Sequence, residues 1–312
     1  WESSTASNFS SNVTTINNTT ASYVASGLTA TTYFRVLVKN GACDSAYSTA
    51  ATVTVNQTSV GGTVSGGGTI CRGSSATLTL GSNLGSIVKW QWSASADFST
   101  TITDTAVTAN PLTINNLTST RHYRAVVQNG VCAATNSGTA SIIVSQLSVA
   151  GTISGAATVC SGSNSTTLTL SGNTGTIQWQ ESSDNITFTD ILGSTSTTYT
   201  ATNLTTTRYY RAVVTNAPCA SATTASVTMT VSTVPTPGGV SPDRTVCQGS
   251  TSGLLTLSGH SGGTINRWQS STTADFATAT NITNTATTYT SGALTTTTWF
   301  RAVLVNGACT VY

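Results

Sequence analysis

The sequence predicts an all-β fold, built as a tandem array of seven-stranded β-sandwiches, and three observations predict it. One stretch occurs four times, from Leu28 to Cys43 and in copies that end at Cys132, Cys219 and Cys309. Tryptophan recurs every 89 residues, at positions 1, 90, 179 and 268. Short runs alternate apolar and polar residues with the two-residue period of strands, and none has a helical period. The repeat length is close to one sandwich domain and too long for the common helical solenoids.

The recurring stretch reads as a strand that enters a hairpin. In the second copy Tyr123 and Ala125 fall on one face and Arg124 on the other, because successive side chains of a strand alternate. Asn129 and Gly130 follow, and this pair adopts the positive φ angles that a tight two-residue turn requires. The stretch therefore predicts a central strand with an aromatic side chain facing inward.

Residues 147–233 contain one complete unit. We predict a broken first strand at 151–154 and 157–160, and further strands at 166–170, 175–180, 186–190, 197–200, 209–216 and 226–231. Turn residues separate these segments, and their threonine content favours strands because β-branched residues fit a pleated sheet.

The same repeat pattern predicts four domains. They are a partial repeat at 1–57 that begins at its third strand, complete repeats at 58–146 and 147–233, and a repeat at 234–312 without its last strand. We refer to them as repeats 1 to 4. The polypeptide is therefore expected to extend in both directions. The linkers are short, and the proline-rich one at 234–242 is expected to be stiff and extended.

Composition excludes several classes of function. The chain has 312 residues, of which 38% are hydrophobic and 6% charged, and its net charge is +2. No basic stretch is present that could neutralise a run of phosphates, so nucleic acid is not an expected partner. No apolar run approaches the roughly 20 residues of a membrane helix. Seven cysteines at recurring places indicate an oxidising, extracellular compartment.

The recurring aromatic residues are predicted to form the cores. A tryptophan on the third strand typically packs between the two sheets of a sandwich. The predicted core residues are Trp90, Trp179, Trp268, Phe34, Tyr123, Tyr210 and Phe300. Trp92 and Trp299 are not repeated as tryptophan; sugar platforms are one interpretation, but single aromatics on a β surface usually reflect ordinary packing.

No constellation of residues predicts catalysis. The recurring arginines are expected to point outward and stack on neighbouring rings; they are Arg35, Arg124, Arg211 and Arg301. Asp97 and Asp275 occupy like positions before a phenylalanine, and one carboxylate per repeat cannot supply the ~6–8 oxygens of a calcium site. His122 and His260 stand at unlike positions. We therefore predict no enzyme activity, no metal and no cofactor.

The cysteines allow two disulfide frameworks. Pairing within repeats joins Cys71 to Cys132, Cys160 to Cys219 and Cys247 to Cys309, and leaves Cys43 to a partner before residue 1. Pairing across repeats joins Cys43 to Cys71, Cys132 to Cys160 and Cys219 to Cys247 at a constant spacing of 28. We favour the first, because bridged cysteines need Cα atoms within ~7 Å and a single domain provides this more easily. Against it, the two cysteines of a repeat would lie at opposite ends of a regular sandwich.

Three recurring phrases carry a resemblance to a known class of repeats. They are Gly-Thr-Ile-Ser-Gly through Leu-Thr-Leu-Ser-Gly at 151–172, Ile-Gln-Trp-Gln-Glu-Ser-Ser at 177–183 and Tyr-Tyr-Arg-Ala-Val-Val-Thr-Asn at 209–216. These resemble the immunoglobulin-like tandem repeats of giant Bacteroidota cell-surface adhesins, of the mobile adhesin type used in gliding motility. The spacing from Leu117 to Tyr123 also resembles the tyrosine-corner segment of fibronectin III and immunoglobulin folds.

The resemblance has consequences for location and partners. It implies immunoglobulin-like or fibronectin III-like sandwiches, type IX export and attachment at the outer-membrane surface. It implies contacts with extracellular surfaces or polysaccharide, with further repeats of the same chain and with outer-membrane motility or secretion machinery. It also implies O-glycosylation of Ser45 and Thr105, which stand in Asp-Ser/Thr-apolar triplets.

The expected function is structural and adhesive. Tandem sandwiches would form part of a long extracellular filament that spaces an adhesive tip from the cell and bears force. Two alternatives remain. One is a carbohydrate-binding array that uses the outward residues Tyr33, His122, Tyr209 and Trp299. The other is a spacer of an exported polysaccharide-degrading enzyme.

Overall fold

A computed structural model describes all residues from Trp1 to Tyr312. Every regular element is a β-strand, and the structure contains no candidate membrane-spanning helix. The chain divides into two compact units, Trp1–Ser145 and Gln146–Tyr312, and each is described by itself. The predicted all-β fold of tandem immunoglobulin-like sandwiches is confirmed.

The first unit contains repeats 1 and 2. The strands of repeat 1 are β1 (Glu2–Ser4), β2 (Thr14–Thr15), β3 (Thr32–Arg35), β4 (Leu37–Val38), β5 (Ala46–Tyr47) and β6 (Ala51–Val53). Those of repeat 2 are β7 (Thr63–Ser65), β8 (Gly68–Cys71), β9 (Ala76–Gly81), β10 (Ser86–Ser93), β11 (Thr103–Thr105), β12 (Leu112–Ile114), β13 (Arg121–Gln128), β14 (Thr135–Asn136) and β15 (Ala140–Ser145).

Repeat 2 is a sandwich of two sheets. One has the order β11-β10-β13-β15-β8, with β14 also on β13, and the other has the order β12-β9-β7. Strict alternation along β9 directs Ala76, Leu78 and Leu80 into the core while the threonines between them face solvent. Repeat 1 has the sheet β2-β1-β3-β6 and the separate pair β4-β5, so β6 lies at a sheet edge.

The second unit contains repeats 3 and 4. The strands of repeat 3 are β16 (Thr152–Ser154), β17 (Thr158–Cys160), β18 (Ser165–Ser171), β19 (Thr176–Ser182), β20 (Thr189–Asp190), β21 (Thr198–Thr202), β22 (Arg208–Thr215), β23 (Ala222–Thr223) and β24 (Val227–Ser232). Those of repeat 4 are β25 (Gly239–Ser241), β26 (Leu255–Ser258), β27 (Thr264–Ser271), β28 (Thr280–Ile282), β29 (Thr288–Tyr289), β30 (Trp299–Asn306) and β31 (Cys309–Val311).

The broken first strand of repeat 3 serves both sheets. β16 pairs antiparallel with β18 in the sheet β16-β18-β21, whereas β17 pairs parallel with β24 in the sheet β17-β24-β22-β19-β20. The chain crosses between the sheets at Gly155, which has φ 95° and where a Cβ would stand 2.3 Å from the Thr167 carbonyl oxygen. Only glycine accepts that φ and that contact. Repeat 2 uses Gly66 in the same way, with φ 93° and a 2.1 Å approach to the Thr77 carbonyl oxygen.

Two details of repeat 3 differ from the sequence prediction. The predicted strand at 186–190 is limited to β20, because the Asp184 carboxylate accepts the N–H groups of Ile186 and Thr187 and makes a turn there. β23 was not predicted; its two residues pair with Val213 and Val214 of β22.

Repeat 4 has the sheets β25-β26-β29 and β28-β27-β30-β31. Residues 242–254 contain no strand, and 241–250 are exposed throughout. In repeat 3 the equivalent segment forms β17, which pairs only with β24.

Candidate functional site

The three sandwich cores centre on tryptophan. Trp90, Trp179 and Trp268 are fully buried. Each donates its indole N–H to a backbone carbonyl across the sandwich, Trp179 to Ser196 at 2.9 Å and the others at 3.1 and 2.9 Å. Because the one polar atom of each ring is satisfied, these side chains are structural and offer no ligand contact.

The other predicted core residues lie beside them. Tyr123, Tyr210 and Phe34 are buried, and Phe300 is half-buried against the core of repeat 4. In repeat 3 the rings of Trp179, Tyr199 and Tyr210 follow one another with centroids 5.9 and 5.4 Å apart. Burial raises the pKa of the Tyr210 hydroxyl, as expected for a phenol that would lose its hydration when ionised.

The recurring arginines stack on rings of the outer face. The guanidinium carbon of Arg211 lies 3.9 Å from the Phe188 ring centroid, and its Nε donates to Gln180 at 2.7 Å. Arg124 and Arg301 repeat both contacts. In repeat 1 a glutamate replaces the glutamine, and Arg35 forms a 2.8 Å ion pair with Glu2. Each of these guanidinium groups therefore already contacts an aromatic ring and the side-chain oxygen of a glutamine or glutamate.

The glutamine that contacts each arginine was not identified from the sequence, although the sequence contains a pattern that points to it. Glutamine or glutamate follows the recurring tryptophan in every copy, at Glu2, Gln91, Gln180 and Gln269. Since neighbouring residues of a strand face opposite ways, an inward tryptophan places this residue outward, beside the arginine of the paired strand.

The aspartates that precede the stacked phenylalanines shape turns. Asp184 accepts the backbone N–H groups of Ile186 and Thr187 at 2.9 and 2.8 Å, which lowers the pKa of its carboxyl to about 2. Asp97 has its pKa lowered to about 2 by hydrogen bonds from Ser95 and Ser99. Phe98, one residue later, has φ 56°. No group of three or more His, Cys, Asp or Glu side chains could hold a metal ion.

The outward aromatic residues do not share one environment. Trp299 is 39% exposed, whereas Tyr33 and Tyr209 are half-buried. His122 shares a 2.7 Å hydrogen bond with the Ser141 hydroxyl. Trp92 is covered by the Arg121 guanidinium, 3.9 Å from its centroid. They therefore do not repeat as a uniform platform for sugar rings.

The two predicted glycosylation residues also differ. Ser45 is exposed, in the segment just before β5. Thr105 is half-buried in β11, and its hydroxyl donates to the Trp90 carbonyl at 3.0 Å.

The most distinctive arrangement is the junction between repeats 3 and 4. Asn306 donates its side-chain amide to the carbonyl and hydroxyl oxygens of Thr233, both at 2.9 Å. Ala308 donates its N–H to the Ser232 hydroxyl at 3.4 Å. Gly307 has φ 52°, and a Cβ there would stand 2.1 Å from that hydroxyl oxygen. The hairpin turn of repeat 4 thus lies directly against the last strand of repeat 3.

A disulfide crosses this junction. Cys160 of repeat 3 is bonded to Cys309 of repeat 4, with Cα atoms 4.8 Å apart and a sequence separation of 149. Cys160 stands beside Ser232 in the parallel pair of β17 and β24, and the Cys309 sulfur lies 3.3 Å from the Ser232 carbonyl oxygen. Cys309 is almost fully buried there.

Both predicted frameworks of disulfides are therefore wrong. Cys160 is not bonded to Cys219, and Cys309 is not bonded to Cys247. Cys43, Cys132 and Cys247 are free thiols, so the pairs of Cys71 with Cys132, of Cys43 with Cys71 and of Cys219 with Cys247 are excluded. Cys71 and Cys219 are also disulfide-bonded.

The strand topology explains why the predicted disulfide pairs do not form. Because β17 and β24 are parallel, the strand that ends at Cys160 finishes at the same end of the sandwich at which the chain leaves for the next repeat. The second cysteine follows the hairpin turn that lies at the entry end, beside the linker. The two cysteines of one repeat therefore lie at opposite ends of its sandwich, and Cys160 is at the end that meets repeat 4.

The junction between repeats 1 and 2 has the same construction. Asn129 donates its N–H to the Ser59 hydroxyl and its side-chain amide to the Gln57 carbonyl, both at 2.9 Å. The Cys132 sulfur lies 3.2 Å from the Gln57 carbonyl oxygen. In repeat 3 Asn216 makes the same two contacts with Ser148 and Gln146.

Solved structures with a similar arrangement are distant. The chicken CNTN1 FN1–FN3 domains are 12% identical with a TM-score of 0.31, over 79% of this chain and 92% of that chain. A marsupial T cell receptor is 12% identical with a TM-score of 0.42, over 77% of this chain and 98% of that chain. These scores are low, and the architecture rests on the strand pairing described above. No curated protein matches the chain.

The family itself is defined by sequence. A family model described as a domain of unknown function (DUF8696) matches residues 1–57, 60–146, 149–233 and 236–312. The chain is thus a tandem immunoglobulin-like repeat protein, and it belongs to the DUF8696 family, of which it carries four copies.

Proposed function

We propose that this chain is a structural and adhesive segment of a long extracellular filament, which holds an adhesive surface away from the cell and bears tension. The observation that carries the proposal is the Cys160–Cys309 disulfide, which joins one repeat to the next instead of closing a single repeat. Disulfides persist in oxidising compartments outside the cytoplasm, which supports an extracellular location.

The strand order suits a chain that is pulled from its ends. In repeat 3 the incoming β17 and the outgoing β24 are parallel neighbours. In the reduced chain, tension at the two ends of the repeat pulls these strands past each other, so that the hydrogen bonds between them are loaded together and not one after another. Repeat 2 has the same pairing between β8 and β15.

The disulfide limits how far the chain can lengthen. Force that enters before Cys160 and leaves after Cys309 passes through the sulfur–sulfur bond, so the chain between them, a sequence separation of 149, carries no covalent load. An extended chain spans ~3.5 Å per residue. The bond therefore withholds about 500 Å of extension even when both repeats unfold.

Single-molecule pulling on the full chain, held at its two ends, tests the mechanical role. We expect the fully unfolded oxidised protein to be shorter than the reduced protein by at least about 500 Å. We also expect the oxidised repeats to resist forces at which the reduced junction already lengthens. Equal unfolded lengths with and without reductant would contradict the role of the disulfide in bearing force.

The proposed location and the adhesive role are tested on intact cells. Outer-membrane attachment, contact with motility or secretion machinery and a part in gliding are included in the proposal through the resemblance of the repeats. Antibodies against this chain are expected to label intact source cells and to reduce their attachment to surfaces. Labelling that appears only after the cells are permeabilised would overturn the proposal.

A further inference from the structure

An asparagine side chain holds the junction between repeats 3 and 4, and the hydrogens of its amide make the contact. Asn306 donates them to the carbonyl and hydroxyl oxygens of Thr233, both at 2.9 Å. Asn129 donates in the same way to the Gln57 carbonyl at the junction between repeats 1 and 2, also at 2.9 Å. A backbone carbonyl oxygen only accepts hydrogen bonds, so both contacts require an amide and would be lost with a carboxylate.

The turn at each of these junctions requires glycine directly after the asparagine. Gly307 has φ 52°, and a Cβ there would overlap the Ser232 hydroxyl oxygen. Gly130 has φ 56°, and a Cβ there would overlap the Asn56 side chain. Glycine is the residue that adopts such a φ without a steric penalty. The geometry of the junction therefore demands an asparagine–glycine pair in the turn.

An asparagine–glycine pair is chemically labile, because glycine leaves the backbone nitrogen that follows the asparagine unhindered. This nitrogen attacks the side-chain carbonyl carbon, and the new C–N bond closes a succinimide ring. The bond from that carbon to Nδ2 breaks, and Nδ2 leaves as ammonia with the proton of the backbone nitrogen. Water then adds to a ring carbonyl and opens the ring to aspartate or isoaspartate. The net reaction consumes water and releases ammonia, without an oxidant or an enzyme.

The closed junction opposes this reaction at the leaving group. Nδ2 of Asn306 must depart as ammonia, but both of its hydrogens are held by the oxygens of Thr233. The Cys160–Cys309 disulfide lies just beyond the turn and limits its separation from repeat 3. The reaction therefore waits for the junction to open, as hydrogen exchange at a protected amide does.

We propose that Asn306 and Asn129 are sites of deamidation, which react with water when their junction opens, and that the reaction prevents the junction from closing again. The product carboxylate has no hydrogen to donate, and at Asn306 it would face the Thr233 carbonyl oxygen, which repels it. Isoaspartate also adds a methylene group to the backbone of the turn. The proposal rests on the geometry of the junction and not on the adhesive role of the chain.

The rate of deamidation in the full chain tests the dependence on opening. The native protein and Cys160→Ser are incubated in mildly alkaline buffer, and peptide mapping by mass spectrometry follows the conversion of each asparagine. We expect Asn306 to react at least about tenfold faster in Cys160→Ser, because the junction opens more often without the disulfide. Asn129 is the internal control, with equal rates in the two proteins. Slow amide exchange in β22 and β27 checks that the repeats themselves stay folded.

Two other asparagines of the same molecule calibrate these rates. Asn40 is exposed and is followed by Gly41, so it should react faster than Asn306 in the native protein. Asn216 is followed by Ala217, whose side chain hinders the attack, and it should react most slowly. The proposal is wrong if Asn306 reacts as fast as Asn40 in the native protein, or if its rate is the same in Cys160→Ser.

Asn306→Asp supplies the product of the reaction directly and tests the effect on closure. The N–H of Ala308 donates to the Ser232 hydroxyl at 3.4 Å in the closed junction. We expect this N–H to exchange with solvent at least about tenfold faster in Asn306→Asp, because two hydrogen bonds of the junction are lost. Asn40→Asp makes the same change in an exposed hairpin and should leave this exchange rate unaltered. Equal exchange at Ala308 in the native protein and in Asn306→Asp would refute the claim that the carboxylate prevents closure.

Discussion

Cys160 is bonded to Cys309, and so the end of β17 in repeat 3 is linked covalently to the start of β31, which follows the hairpin turn of repeat 4. The bond lies over Ser232, whose carbonyl is 3.3 Å from the Cys309 sulfur. A disulfide in this place resists separation of the two repeats as well as unfolding of each. It therefore couples their stability, which two disulfides inside separate repeats would not do.

Replacement of Cys160 by serine is expected to destabilise the second unit strongly. In the chain-entropy model, a disulfide that closes a loop of 149 residues contributes about 5 kcal/mol through the unfolded state. Calorimetry of the full chain should show the transition of residues 146–312 at a lower temperature. Cys309→Ser should give the same shift, and Cys247→Ser, which removes an exposed free thiol, should give none. Equal shifts in all three variants would contradict this account.

Replacement of Trp179 by alanine should destabilise repeat 3 by about 3–5 kcal/mol, because it removes a fully buried side chain and leaves a cavity. Trp179→Phe should cost less, although it leaves the Ser196 carbonyl without its indole donor. Hydrogen exchange followed by mass spectrometry measures the effect in β19 and β22. The control is Leu192→Ala, at a site that is 99% exposed. Comparable losses at the two sites would show that the tryptophan is not central to this core.

The sequence was sufficient to predict what local chemistry determines. The alternation around Trp179 and most strands of repeat 3 follow from side-chain period and turn residues. The tight two-residue turn predicted at Asn129-Gly130 is wrong, because only Gly130 of the pair has a positive φ and Val127 pairs with Thr135 across a longer loop. The partner of Cys160 does not follow from local patterns, because it depends on the parallel pairing of β17 with β24, about seventy residues apart, and on how a hairpin meets the preceding repeat. The constant spacing of 28 between cysteines of adjacent repeats is a consequence of the repeat length and does not indicate that these cysteines are in contact.

The arginine stack is expected to couple two residues of repeat 3. A guanidinium over a ring at an exposed site contributes about 0.5–1 kcal/mol, and Arg211 lies 3.9 Å from the Phe188 centroid. A double-mutant cycle with Arg211→Lys and Phe188→Leu should give a coupling free energy of that size, since lysine lacks the planar group. Arg301 and Phe276 provide the matched pair in repeat 4. Additive effects in both repeats would contradict an energetic role for the stack.

Acid should weaken the turn that Asp184 forms. Hydrogen bonds from the Ile186 and Thr187 N–H groups lower the pKa of its carboxyl from 3.8 to about 2 in the folded chain. A carboxyl whose pKa is lower when folded stabilises the fold fully above its unfolded pKa, and this contribution is lost as the pH falls from about 4 to about 2. NMR titration should find the Asp184 midpoint near pH 2. Asp184→Asn keeps an acceptor oxygen without the charge, so the contribution of this residue to the pH dependence of stability should vanish in that variant. A midpoint near 3.8 in the native protein would mean that the carboxylate does not hold the turn in solution.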